Sequence, residues 1–199
     1  MPYIILLAGL PAVGKTTFSR FISKELCIPA ISKDYIKEIL FDSLGFQSRA
    51  EKVRLGDASR DVMYGMAEEF MRLELPVILE NNFDRNSKAH LEDLISQYGY
   101  DCITVLFEGE TEAIYRRFIA RNHSSLRHPG HITNQCYPLK DNMEPVSDMT
   151  LEQFRDIAAH SGIADFCIGK ELIRVDATDI EAVDYKGILG RIKETLASL

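Results

Sequence analysis

Gly9-Leu10-Pro11-Ala12-Val13-Gly14-Lys15-Thr16 reads G-x-x-x-x-G-K-[ST], and its flanks decide the fold. Before it runs Tyr3-Ile4-Ile5-Leu6-Leu7-Ala8, an apolar stretch of strand length. After it, Phe18, Phe21, Ile22 and Leu26 recur at helical spacing. A glycine-rich turn between a buried strand and a helix start is the context of a phosphate-binding loop. Gly9 and Gly14 let the backbone turn tightly and bring its N–H groups up to an anion. The helix start adds unpaired N–H groups and a partial positive charge. Lys15 is placed to reach the β- and γ-phosphates of a nucleotide, and the Thr16 hydroxyl to ligate Mg²⁺. Thr17 points about 100° away from Thr16 on a helix. It therefore belongs with Leu10, Pro11, Ala12 and Val13 to the phosphate cradle, not to the metal. A plain helix-capping turn has no need of Lys-Thr after the second Gly.

The 199 residues are 46% hydrophobic, which predicts one domain over 1–199 with one sizeable core. Acids outnumber Lys and Arg by 30 to 23, for a net charge of −7. That argues against a general nucleic-acid-binding surface but leaves room for a local basic cleft. The four cysteines (Cys27, Cys102, Cys136 and Cys167) form no C-x-x-C. A disulfide framework is not expected, and a reducing, cytoplasmic setting is. Cys27 and Cys102 lie in or beside apolar runs and read as small core residues. No apolar run approaches the length of about 18 residues that spans a membrane. The N-terminus has no basic region and reads as a strand, not a signal peptide.

Apolar strands and amphipathic helices alternate along the chain. Strands are expected near 3–8, 28–31, 76–80, 102–107 and 172–175. Helices are expected near 15–26, from Ser32 or Asp34 to Leu40, from Leu55 to Phe70, and over 86–98, 110–122, 150–160 and 180–197. This predicts an α/β fold, a five-stranded, mostly parallel sheet with helices on both faces. Residues 123–149 hold three His and three Pro without periodicity and read as a lid. In such sheets ligands bind at the carboxyl ends of the strands. The residues there are Gly9 onward, Ser32-Lys33-Asp34, Glu80-Asn81-Asn82, Glu108-Gly109 and Asp176-Ala177-Thr178.

These ends carry the candidate chemistry. Asp34 and Lys37 share a helix face. Asp34 can take the proton of an attacking hydroxyl, and Lys37 can hold an anionic group on the acceptor or the γ-phosphate; the alternative is a helix cap beside a solvated Lys. Glu80 ends an apolar strand, as does the acid that binds magnesium in phosphate-loop enzymes; the alternative is pairing with Lys15. Asn81 and Asn82 could orient an acceptor hydroxyl or simply make the turn. Arg117 and Arg121 flank the buried face marked by Ile114 and Phe118, whereas Arg116 turns away by about 100°. Guanidinium suits the charge of a transferring phosphoryl group, and Arg127 could join them. Asp176 and Thr178 would border the adenine end of the nucleotide. A zinc reading of His128, His131 and Cys136, with His123, lacks an obvious fourth ligand.

In this order the features resemble the small phosphate-loop kinases grouped with the kinase half of polynucleotide kinase, gluconate kinase, chloramphenicol phosphotransferase and the zeta toxins. The resemblance rests on Gly9–Thr16, Ser32-Lys33-Asp34, Glu80, Arg117-x-x-x-Arg121 and Val175-Asp176-Ala177-Thr178. It implies a P-loop NTPase fold, ATP and Mg²⁺ as cofactors, and a phosphotransferase with an alcohol group as acceptor. It also implies Asp34 as general base, Lys37 on a phosphate, Arg117 and Arg121 in the transition state, and 176–178 near adenine. Glu80 stands where Asp is usual, and Lys37 where Arg is common. The acidic balance favours a small-molecule acceptor over a polynucleotide, which stays open. The other reading is a nucleotide-dependent switch or NTPase acting through a protein partner, with 41–60 and 123–149 as candidate switch segments.

Overall fold

The computed structural model describes residues 2–125, 127–140, 148–169 and 171–198. Among them, five strands are β1 Tyr3–Gly9, β2 Ala30–Ser32, β3 Val77–Glu80, β4 Asp101–Glu108 and β5 Glu171–Asp176. The helices are α1 Lys15–Leu26, α2 Lys33–Leu44, α3 Arg49–Arg72, α4 Arg85–Tyr98, α5 Thr111–Asn122, α6 Pro129–Ile132, α7 Leu151–His160 and α8 Tyr185–Ser198.

The strand order is β2-β3-β1-β4-β5, and every pairing is parallel. The expected "mostly parallel" sheet is thus wholly parallel, because a helix intervenes in every connection between consecutive strands. Side chains alternate across β1. Ile4, Leu6 and Ala8 join Met63, Ala67 and Met71 of α3 and Leu91 of α4 on one face. Ile5 and Leu7 join Phe18 and Ile22 of α1 and Ile188 and Ile192 of α8 on the other. All five β1 residues are fully buried, which is why the strand reads as a continuous apolar run. Truncating one such Leu to Ala costs about 2–5 kcal/mol. This is an α/β P-loop NTPase fold. Its registers set Ser32 against Glu80, Leu7 against Glu80 and Glu108 against Asp176, so the strand ends lie along one edge.

Some local expectations change. α3 starts at Arg49, not near Leu55. The Ser48 side chain accepts from the Glu51 N–H, and the Glu51 carboxylate accepts from the Gln47 N–H at 2.6 Å. Ser48-x-x-Glu51 was the start signal. β2 starts two residues later than its apolar run and ends one later. The last helix splits into a 3₁₀ turn, Ile180–Ala182, and α8. Cys27 is exposed, not a core residue: it closes α1 in a left-handed conformation that turns its side chain outward, while Cys102 is buried. Of the expected lid over 123–149, Leu126 and residues 141–147 lie outside the described residues.

Candidate active site at the carboxyl edge of the sheet

The loop from Gly9 to Thr16 closes over the end of β1. Gly9 has φ 139°, and a Cβ there would come within 2.4 Å of the Phe107 carbonyl oxygen, so only glycine fits. Ala12 and Gly14 are left-handed, at φ 66° and 92°. Gly14 caps α1 without a side-chain hydrogen bond, and the first turn carries no acid. Its N–H groups and the positive end of the dipole are therefore left for an anion. Lys15 is buried, and its Nζ donates to Gly9 O (2.7 Å), Leu10 O (2.8 Å) and Asn82 Oδ1 (3.0 Å). Burial lowers the Lys15 pKa to about 8, against the opposing pull of Glu80 and Asp34.

Glu80 is 5% exposed, and its Oε2 has no hydrogen-bond partner. It does not pair with Lys15, whose hydrogen bonds go to Gly9, Leu10 and Asn82. Thr16 and Glu80 both line the same cavity, of about 680 Å³. A hydroxyl and a buried, unpartnered carboxylate oxygen on one cavity are hard oxygen donors of the kind that suit Mg²⁺. The two asparagines are committed within the turn: Asn82 Oδ1 holds Lys15, and Asn81 Oδ1 accepts from the Asn82 N–H at 2.8 Å.

Asp34 is not a helix cap. Ser32 caps α2, its side chain accepting from the Tyr35 N–H. Asp34 therefore lines the cavity from the first turn of α2. Asp34 is exposed along the cavity wall; desolvation by the surrounding protein raises its carboxyl pKa, but His131, Lys33, Arg127 and Lys37 together outweigh this and hold it at about 2. Lys37, one turn on, has its Nζ 5.4 Å from the Phe41 ring centroid. Burial lowers its pKa to about 8, with Lys33 acting in the same direction.

The α5 arginines differ from one another. Arg116 is exposed and Arg117 half-buried, as the helical-face argument requires. Yet Arg117 does not extend freely into the cleft. Its Nε donates to Ala12 O (3.2 Å), Nη1 to Thr178 O (2.7 Å) and Nη2 to Ala177 O (2.6 Å). It ties the phosphate loop to the end of β5. Arg121 and Arg127 each keep a buried Nε without a partner. Arg121 is acted on by Asp34, Glu80 and Glu38, with burial lowering its pKa. Burial brings the Arg127 pKa down to about 10, assisted by Arg121. Asp176 is exposed and turns back on its own strand end, its Oδ1 accepting from the Thr178 N–H at 2.8 Å.

The segment after α5 docks on α2 and α3. His128 Nε2 meets Asp42 Oδ1 at 3.0 Å, and His131 Nε2 meets Glu38 Oε1 at 2.9 Å. Phe46 and Tyr137 exchange two backbone hydrogen bonds, 2.9 and 2.8 Å. Buried Lys52 donates from Nζ to His131 O (2.9 Å), Asn134 Oδ1 (3.2 Å) and Thr133 O. His123 pairs with Asp148 at 2.6 Å. The histidines of the zinc reading thus face three separate carboxylates. Among the described residues no three His, Cys, Asp or Glu side chains gather as a metal site. Glu38 and Lys52 escaped the sequence reading, and Lys33, named there at the end of β2, was given no role. Lys33 and Glu38 stand four residues from Lys37 and Asp34, a helical spacing that could have tied them to the site. Lys52 binds partners about 80 residues away and gave no local signal.

The cavity collects seven Lys and Arg side chains against three carboxylates, in a chain of net charge −7. Low-dielectric walls of one sign focus the field on an anion.

The AAA domain family matches residues 4–137. Among solved structures, a protein assigned as a kinase from Chloroflexus aurantiacus J-10-fl is 25% identical, covers 97% of each chain and superposes with a TM-score of 0.81. A gluconokinase from Sinorhizobium meliloti 1021 is 15% identical, covers 98% of this chain and 96% of its own, and has a TM-score of 0.55. A shikimate kinase from Bacteroides thetaiotaomicron is 14% identical, covers 98% of each chain and has a TM-score of 0.54. None of the curated proteins matches this chain in sequence. The phosphate loop, the parallel sheet and the matched span agree: the chain belongs to the AAA domain family, in a fold that these kinases share.

Proposed function

We propose that the protein is an ATP-dependent kinase that transfers the γ-phosphoryl group to a hydroxyl of a small-molecule acceptor. The observation that carries this reading is a convergence. Glu80 Oε2, Arg121 Nε and Arg127 Nε, three buried polar atoms without partners, all belong to residues of the phosphate-loop cavity. Orphaned groups of this kind mark a site that a ligand completes.

In this reading residues 9–17 cradle the triphosphate through backbone N–H groups, and Asp176 and Thr178 border the base. Arg117 positions these two segments against each other. Thr16 and Glu80 would hold Mg²⁺, which supplies neutralising charge to the phosphate oxygens when bound. Asp34 accepts the proton of the acceptor hydroxyl as its oxygen attacks the γ-phosphorus. The bond to the bridging oxygen breaks, and ADP leaves. Lys15 and Arg121 offset the negative charge of the transferring group. Lys37 and Arg127 face the acceptor. The four scattered thiols support a reducing, cytoplasmic setting, and among the described residues no helix is long and apolar enough to cross a membrane.

ADP release measured against hydroxyl-bearing metabolites, antibiotics and 5′-hydroxyl oligonucleotides tests the reading. Stimulation by a small molecule supports it, and stimulation by oligonucleotides alone would make the acceptor a polynucleotide. Acceptor-independent hydrolysis that only a protein partner raises would replace it with the switch reading.

A further inference from the structure

His131 lines the phosphate-loop cavity together with Asp34 and Glu38. Asp34 and Glu38 stand four residues apart on α2 and so share a helix face. The His131 imidazole is bonded to the second of them, Nε2 to Glu38 Oε1 at 2.9 Å, and its side chain is 7% exposed. A carboxylate on Nε2 fixes that nitrogen as the N–H and leaves Nδ1 as the acceptor.

Three further contacts fix this ring. Lys52 Nζ donates to the His131 carbonyl at 2.9 Å. The imidazole stands edge-on to Phe41, with ring centroids 5.7 Å apart. Gly130 lets α6 approach Phe41, because a Cβ there would come within 2.4 Å of its ring. Docking of the segment does not require a histidine on the cavity: His128 makes an equivalent bond, to exposed Asp42, without lining it.

Asp34 needs an outlet for the proton it takes. With its carboxyl held at about 2, it gives that proton up readily near neutral pH. The imidazole is surrounded by Asp34, Lys37 and Glu38 of α2, Lys52 of α3, and Arg127 and His128 of its own segment. Burial, Arg127 and Lys37 lower its pKa from 6.5 against the pull of Glu38 and Asp34, so at pH 7 it is neutral and able to accept.

Resting on the kinase reading, we infer that Glu38 and His131 form a proton relay behind Asp34: the acceptor's proton passes from the Asp34 carboxylate to His131 Nδ1. The electron pair left on the hydroxyl oxygen forms the bond to the γ-phosphorus as the bond to the bridging oxygen breaks. Glu38 supplies the counter-charge of the imidazolium, which returns the proton to water after ADP and product leave. His131 acts through Asp34 and does not touch the substrate.

Two measurements test the relay. The first follows the imidazole by nitrogen-15 NMR in the nucleotide-free protein and needs no acceptor. Asp34→Asn should lower the His131 pKa, because it removes a carboxylate that favours the imidazolium. The second is turnover against pH. Wild-type kcat should fall as pH drops through the His131 pKa, below 6.5. His131→Gln should abolish that limb and lower kcat about tenfold or more, with the KM for ATP little changed. Glu38→Gln should move the limb to lower pH. Imidazole added to His131→Ala should restore activity in proportion to its neutral form. His128→Ala, which removes a docking contact outside the cavity, should leave the limb and kcat in place. A limb that survives His131→Gln, a His131 pKa indifferent to Asp34→Asn, or equal losses at 128 and 131 would overturn the relay and make His131 a docking residue. A wild-type protein that phosphorylates no acceptor would instead refute the kinase reading beneath it.

Discussion

Lys15→Met should stabilise the nucleotide-free protein while abolishing phosphoryl transfer. Lys15 is 6% exposed, and its pKa falls from 10.5 to about 8. At 1.36 kcal/mol per unit, carrying the charge costs about 3 kcal/mol. Methionine keeps the length of the side chain and removes the charge. Its three hydrogen bonds are lost, but Asn82 lines the cavity and can turn to water, so the loss is about 1 kcal/mol. The expected gain at pH 7 is about 2 kcal/mol, or roughly 4–8 °C in Tm for a chain of this size. The pH dependence has a definite direction. With the folded pKa below the unfolded one, wild type bears the full penalty below pH 8. The penalty shrinks between pH 8 and 10.5, where the unfolded chain binds the extra proton, and vanishes above. Urea unfolding of both proteins from pH 6 to 10.5 measures the gap. A variant less stable than wild type at pH 7, or a gap that does not narrow above pH 8, would show that Lys15 is a structural clamp and not a strained cation awaiting phosphate.

Asp34→Asn should cut turnover by about a hundredfold or more, the scale of a lost general base, with ATP affinity little changed. With its carboxyl held at about 2, wild-type kcat/KM should show no acid limb from this group between pH 5 and 7; Asn-like activity or a limb near pH 6 assigned to Asp34 would contradict the reading. Arg121→Ala should lower kcat and kcat/KM together, whereas Arg117→Ala should mainly raise the KM for ATP, because Arg117 is bonded to Ala12, Ala177 and Thr178. Exposed Arg116→Ala is the control, and equal kinetic effects at 116 and 117 would remove the positioning role. Lys52→Met should loosen residues 131–134 and raise the acceptor KM more than the ATP KM. Unaltered hydrogen exchange there would show that the buried lysine does not anchor the segment.

Local chemistry explains what the sequence disclosed. β1 and β4 are buried on both faces, so they read as unbroken apolar runs, and Gly9–Thr16 carries its backbone geometry in its glycines. Glu80 was visible because a carboxylate ending such a run has no packing reason to be there. Asp34 was ambiguous because Ser32 and Asp34 are both good caps; the choice lay in which side chain reached the Tyr35 N–H. The face of Arg117 followed from helical periodicity. Its carbonyl partners did not, since they stand 60 to 105 residues away. Lys52 was hidden for the same reason, and further because the start of α3 was placed after it. Cys27 misled because an apolar neighbourhood in sequence was ended by a left-handed cap that turned the thiol outward.

The most direct test of the account follows the γ-phosphoryl group itself. Protein supplied with γ-³²P-labelled ATP, Mg²⁺ and the hydroxylated acceptors should place the label in a phosphate ester of one acceptor, with ADP in equal amount. Lys15→Met should abolish that ester and Asp34→Asn should reduce it about a hundredfold. Label found only as inorganic phosphate across every acceptor, at a rate indifferent to Asp34→Asn, would contradict the claim that this cavity is built to phosphorylate a hydroxyl.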